Sequence, residues 1–378
     1  MSYSLSTLWY ERSRFLPGVL AVAFSALLIA LQFGLMLGLF SITSLPIDNT
    51  RADIWMGAPK VQSVDLGERI RVSHLARLER QPEVTRVEPY IQGFAYWAKP
   101  WDAEKGGREL CMVVGSRLGA SALGSVNQLK AEHRELLTEP GAVIIDESDK
   151  ERLGVTREGQ TAEVTGHRVR VVKFISGVKS LAGPYVFASV ATARRLLRMS
   201  EDETTYILAK GRKPEDARVV VDRLNKKYNH KDVTLFTRDE FSFGSQKYWL
   251  LKTKAGVALG YAALLGLLVG AVVTSQTLYS ATAASIREFA VLRALGIPRW
   301  RIQMMVVAQA FWIGIIGVGI GLPAAYGARK LAENVGALTR MPDWLILIDA
   351  GVCMGMAIIA GLFALRSLRL VEPAQLLR

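Results

Sequence analysis

The chain has 378 residues, half of them hydrophobic, and carries 47 Lys and Arg against 34 Asp and Glu, a net charge of +13. Two cysteines in that length exclude a disulfide-built fold, and the apolar content excludes intrinsic disorder. A mean hydropathy of +0.22 beside 21% charged residues requires that apolar and charged residues be segregated along the chain.

Residues 1–14 read as a short amphipathic segment ending in Arg12 and Arg14. No charge follows until Asp48. Crossing a bilayer takes roughly 20 apolar residues, so a first membrane helix is expected at 15–43. Its apolar run exceeds the roughly 7–15 residues of a signal peptide, and no A-x-A-like site follows, so it is expected to stay as an anchor. Residues 44–254 hold 35 of the 47 basic and 28 of the 34 acidic residues, which marks a water-soluble domain. Strands are expected at Ala142–Asp146, Arg168–Val178, Tyr185–Ala188, Thr204–Ala209 and Val233–Phe236. Helices are expected at Leu66–Glu79, Val190–Leu197 and Pro214–Tyr228, the last with Val219, Val220 and Leu224 inward. The order strand, helix, strand near the end of this domain predicts a split β-α-β unit of the ferredoxin-like kind.

Charge-free runs then predict three more membrane helices at 255–283, 302–328 and 344–365, the last interrupted by Asp349 near one end. They are joined by segments 284–301 and 329–343 and followed by a tail at 366–378. The fold class is therefore a four-helix membrane bundle with a large mixed α+β domain inserted between its first two helices. Arg12, Arg14, Arg287, Arg293, Arg299, Arg301, Arg366, Arg369 and Arg378 fall on one side of such a bundle, against Arg329, Lys330 and Arg340 on the other. Basic residues in short loops mark the cytoplasmic side. Both termini and 284–301 are thus expected inside, and 44–254 outside.

The usual carriers of chemistry are missing from this sequence. There is no G-x-x-x-x-G-K-[ST] phosphate loop and no G-x-G-x-x-G after a strand. His74, His133, His167 and His230 lie far apart, without metal spacing. Ser176-Gly-Val-Lys179 matches S-x-x-K but has no S-D-N or K-T-G partner. The basic surplus is spread among acids, which fits anionic lipid headgroups better than nucleic acid. Five small-residue pairs one helical turn apart, Gly34/Gly38, Gly256/Gly260, Gly266/Gly270, Gly317/Gly321 and Gly351/Gly355, predict close helix packing.

Ala284-Ser-Ile-Arg-Glu-Phe-Ala-Val-Leu-Arg-Ala-Leu-Gly-Ile-Pro-Arg-Trp-Arg-Ile-Gln303 resembles the R-x-E-[IF]-A-[VIT]-L-[RK]-A-[LI]-G stretch of FtsX/MacB-like ABC transporter permeases. Arg369-Leu-Val-Glu-Pro-Ala-Gln-Leu-Leu-Arg378 resembles that family's terminal motif, with Gln375 at its polar position. Leu8–Phe15 and Leu31–Leu35 look most like the DevC-type branch. The resemblance implies a non-catalytic membrane subunit that dimerises and sits on a separate dimer of ATPase subunits. ATP and Mg are bound by those partners, and no cofactor or metal by this chain. It further implies a site in the bacterial inner membrane with the large domain periplasmic, and work on that side. The expected work is export of a lipid or other hydrophobic substrate with a membrane fusion protein and an outer-membrane channel. FtsX-like control of cell-wall hydrolases and lipoprotein release are the alternatives within the family, and a membrane-bound enzyme the alternative outside it. Arg287, Glu288, Phe289, Leu292, Arg293, Leu295 and Gly296 are the expected ATPase-coupling residues. Phe289, Leu292 and Leu295 form an apolar stripe, Arg287, Glu288 and Arg293 its polar rim, and Gly296 permits a left-handed turn before Pro298.

Overall fold

The computed structural model describes residues 10, 12–99, 107–228, 230–284, 291, 295–334 and 339–368. It divides into a helical unit, Met1–Leu39 with Lys254–Arg378, and an outer unit, Phe40–Thr253. The helices that carry the account are α1 (Arg12–Thr43), α2 (Val190–Leu196), α3 (Asp216–Tyr228), α4 (Arg238–Lys252), α5 (Lys254–Ala284), α6 (Arg299–Asn334) and α7 (Asp343–Leu368).

In the outer unit the strands are β1 (Ile54–Gly57), β2 (Ile70–Arg71), β3 (Val84–Ala98), β4 (Arg108–Ser116), β5 (Ala142–Asp146), β6 (Thr161–Val164), β7 (His167–Ile175), β8 (Tyr185–Ser189), β9 (Glu203–Thr204), β10 (Tyr206–Gly211) and β11 (Thr234–Thr237). Nine of them form one sheet in the order β11-β1-β10-β3-β4-β8-β5-β7-β6, and β6 pairs back onto β3. Six strands, β3 to β6 in that order, therefore close on themselves. Their ring surrounds Ile91, Trp97, Cys111, Val113, Val143, Ile145, Val171 and Val186, all buried. The remaining strands form an open sheet. There β10 and β11 run parallel with β1 antiparallel between them, joined by α3.

The sequence expectations meet these elements with three corrections. The strand at Ala142–Asp146 and the cores of the other four expected strands are present. The expected helix over Leu66–Glu79 is helical only at Leu75–Glu79. A single 3-10 turn occupies Val64–Leu66, and Ile70–Arg71 pairs with Glu203–Thr204 instead. Gly67 explains the break: a Cβ there would lie 2.5 Å from the Tyr206 hydroxyl, so the backbone presses on β10. In α3 the inward stripe is Ala217, Val220, Val221 and Leu224, while Val219 faces out. The strand expected to run to Val178 ends at Ile175, because the Val178 amide turns to donate to Asp146 Oδ2 at 2.8 Å.

In the helical unit, Phe15–Thr43, Gln303–Glu333 and Asp343–Leu362 are long and apolar enough to cross a membrane among the described residues. Their contacts use small residues. A Cβ at Gly317 would lie 2.6 Å from Val22, and one at Gly321 would run into the Ala23 carbonyl, so this pair seats α6 against α1. Gly34 meets Met341, and Gly361 meets Ala310. Gly260, Gly351 and Gly355 face open space. Asp349, expected near one end of its helix, lies about two turns into α7 and is buried at 1% exposure. Its Oδ1 accepts from Cys353 Sγ at 3.5 Å. Both cysteines are free and buried.

Candidate functional site

Two places in the molecule carry the geometry that bears on function, one in each unit. The first is the segment between α5 and α6. Arg287, Glu288, Phe289, Leu292 and Arg293 of the expected coupling set lie outside the described residues. Val291 is helical, and the Leu295 amide donates to its carbonyl at 3.0 Å, one α-helical turn. Gly296 then takes φ +87°, the left-handed conformation that ends helices and that side chains with a Cβ resist. Pro298 follows, and α6 begins at Arg299. Leu295 is 75% exposed and Trp300 60%, with the Arg301 guanidinium 5.4 Å from the Trp300 ring. An exposed leucine and tryptophan beside a tight helix stop offer apolar contact area to a partner. Trp300 is absent from the sequence-derived set, although its position between Arg299 and Arg301 marks it as an amphipathic anchor.

The second place is the interior of the outer unit beside α4. This helix is fixed at its start by a reciprocal cap: Thr237 Oγ1 accepts from the Glu240 amide at 3.3 Å, and Glu240 Oε2 accepts from the Thr237 amide at 3.2 Å. Phe241, on its first turns, stacks on Phe236 (ring centroids 4.9 Å apart) and meets Trp55 and Tyr206 at 5.7 and 5.6 Å. Farther along, Trp249 Nε1 donates to Asp65 Oδ2 at 3.2 Å. Asp65 is 5% exposed, and its Oδ1 accepts from Gln92 Nε2 at 3.3 Å. Burial raises the Asp65 carboxyl to about 7, opposed by the Trp249 hydrogen bond. Sequence reading could not assemble this group, because its members stand at positions 65, 92 and 249, on a 3-10 turn, β3 and α4, and only tertiary packing brings them together.

The residues weighed for chemistry are scattered. Ser176 Oγ donates to Glu147 Oε2 at 3.3 Å, on an exposed edge. His133 is buried, and its Nδ1 accepts from the Lys130 amide at 3.2 Å to cap a short helix. Among the described residues no three His, Cys, Asp or Glu side chains are placed to hold a metal ion.

A family model described as MacB-like periplasmic core domain matches residues 19–227, and one described as FtsX-like permease C-terminal matches residues 260–373. Similar solved structures include the periplasmic region of MacB from Actinobacillus actinomycetemcomitans, at 13% identity and TM-score 0.34, covering 55% of this chain and 97% of that one. The extracellular domain of the noncanonic ABC-type transporter YknZ from Gram-positive bacteria matches at 9% identity and TM-score 0.33, covering 49% and 99%. A domain of a permease protein from Porphyromonas gingivalis matches at 12% identity and TM-score 0.32, covering 56% and 97%. No curated protein matches the chain. Apolar spanning helices and a MacB-like periplasmic core define a membrane protein with an extracytoplasmic domain. The chain belongs to the FtsX/MacB-like family of ABC transporter permeases.

Proposed function

We propose that this chain is the membrane subunit of a mechanotransmission ABC transporter, in which a separate ATPase dimer drives work by the outer domain. The observation that carries the reading is the segment joining α5 and α6. It lies inside the FtsX-like match, holds the coupling motif, and presents Leu295 to solvent ahead of the Gly296 turn. The sequence contains no phosphate loop, so ATP and Mg are held by the partner. Four helices cross the membrane: α1, α6 and α7, and α5, which carries no charge after Lys254. Both termini and the coupling segment are cytoplasmic, and the outer unit is periplasmic, a reading the arginine distribution supports. The β10, α3, β11 unit with β1 between its strands supports a ferredoxin-like element.

The chain forms a homodimer. Tyr261, Leu265 and Val272 of α5 are 60% or more exposed, and this face is covered by lipid and by the second copy. The substrate class is a lipid or other hydrophobic molecule exported with a membrane fusion protein and an outer-membrane channel, as in DevC-type systems.

The test is purification in detergent, identification of the chains that come with it, and hydrolysis by the reconstituted complex. An ATPase subunit is expected in the complex, with hydrolysis stimulated by this chain and none by the chain alone. Leu292→Asp is expected to weaken ATPase binding about 30- to 1000-fold, the equivalent of about 2–4 kcal/mol for a carboxylate in an apolar contact. Undiminished binding and stimulation in that variant would overturn the docking assignment.

A further inference from the structure

Asp65 is a buried carboxyl whose hydrogen-bond partners are neutral. From β3 it faces Gln92 and Tyr90, from β8 Tyr185, from β10 Tyr206, and from α4 Trp249. Burial holds the three phenols far above their ordinary range, so they stay uncharged. Among the described residues no cation is hydrogen-bonded to Asp65. The turn that carries it is tied to its surroundings twice more. The Val64 amide donates to Ser245 Oγ of α4 at 3.1 Å, and Tyr206 Oη donates to the Val64 carbonyl at 2.8 Å. The next residue of α4 adds a further tie: Gln246 Nε2 donates to Ser44 Oγ at 2.8 Å. The last two turns of α4 are thus held to the outer domain by Asp65 and Ser245. An open groove of about 230 Å³ reaches Leu66 and Tyr248, the chain neighbours of Asp65 and Trp249, and brings Lys60 and Glu68 to its lining.

We propose that the Asp65–Trp249 contact is a proton-operated latch: neutral Asp65 holds the end of α4 to the outer domain, and ionised Asp65 releases it. The physical reason is that a carboxylate buried without a cation is expensive, whereas a carboxylic acid is satisfied by neutral partners. Here Oδ2 accepts from Trp249, and a proton on Oδ1 finds an acceptor in Gln92 Oε1, which has no partner among the described residues, once that amide turns over. The Trp249 hydrogen bond favours the anion, but burial outweighs it.

The sign follows from linkage. The docked carboxyl titrates at about 7 and a solvated one at 3.8. The hold is therefore complete below the solvated value and lost as pH rises through about 7. Trp249 lies four residues before Thr253, the extended residue that separates α4 from α5. The latch thus acts on the connection through which, on the reading above, work reaches the outer domain. It rests on that reading only for its consequence.

The test is hydrogen exchange of the α4 amides near Trp249 in the full chain in detergent, corrected for the intrinsic pH dependence of exchange. Between about pH 6 and about pH 8, protection in the wild-type chain should fall about tenfold. Asp65→Asn, which keeps the acceptor and cannot ionise, should show no such fall. Trp249→Phe should show weak protection at both pH values, and it serves as the second arm where Asp65→Asn does not fold. Equal pH dependence in wild type and Asp65→Asn, or wild-type protection in Trp249→Phe, overturns the latch. The tenfold fall in a chain that binds no ATPase upholds the latch and overturns only the coupling reading.

Discussion

In the outer unit the largest buried side chains are Trp55, Trp97, Tyr90, Tyr185, Tyr206 and Phe241. Among the described residues of the helical unit the closest approaches are made at Gly314, Gly317, Gly321 and Gly361. The contrast follows from the solvent each unit meets. Water drives the outer domain to bury bulk, since each buried apolar area unit contributes to stability. A bilayer is as apolar as leucine, so helices there gain by backbone proximity and not by hiding leucines. Leu20 and Phe24 of α1 and Ile320 of α6 can therefore stand exposed, where the same exposure in the outer domain would be an aggregation hazard.

Substitutions that reverse these roles test the contrast. The largest effect is expected at Trp97→Ala in the closed strand ring. It removes a fully buried indole and its hydrogen bond to the Leu153 carbonyl at 2.9 Å, a loss of about 3–5 kcal/mol read as a lowered denaturation midpoint. Next comes Gly321→Val, whose side chain meets the Ala23 backbone of α1. Overpacking of this kind costs about 1–3 kcal/mol, read as faster proteolysis of the helical unit in detergent. Gly355→Ala is the paired control: a Cβ there meets nothing, so stability should hold within about 0.5 kcal/mol. Loss at Gly355→Ala equal to that at Gly321→Val would mean that the two glycine pairs serve the same packing, and the contrast would fail.

The two units also differ in how far their sequences reveal them. Membrane helices were legible because a charge-free run of sufficient length needs no distant partner to be helical. The Gly296 turn was legible for a similar reason, since helix termination is local chemistry. The outer strands depended on their neighbours. β3 runs for 15 residues through Pro89 and Gly93, residues that argue against a strand interior. It survives because it changes partner midway, pairing with β10 up to Tyr90 and with β4 from Ile91. α4 was missed because its apolar face, Phe241 with Ser242 and Ser245, is too polar to show a helical stripe. The Asp65 group depends on three distant segments, and Asp349 reads as a rim residue until α5 and α6 pack against its helix, α7.

The proposed function requires residues 44–254 and the α5–α6 segment to lie on opposite sides of the membrane. Single cysteines at Lys130 and at Leu295, both exposed, in a chain with Cys111 and Cys353 replaced, test this directly with a membrane-impermeant thiol reagent on intact cells. Lys130→Cys should be labelled and Leu295→Cys protected until the membrane is opened. Labelling of Leu295→Cys with protection of Lys130→Cys in intact cells would invert the topology and contradict the account.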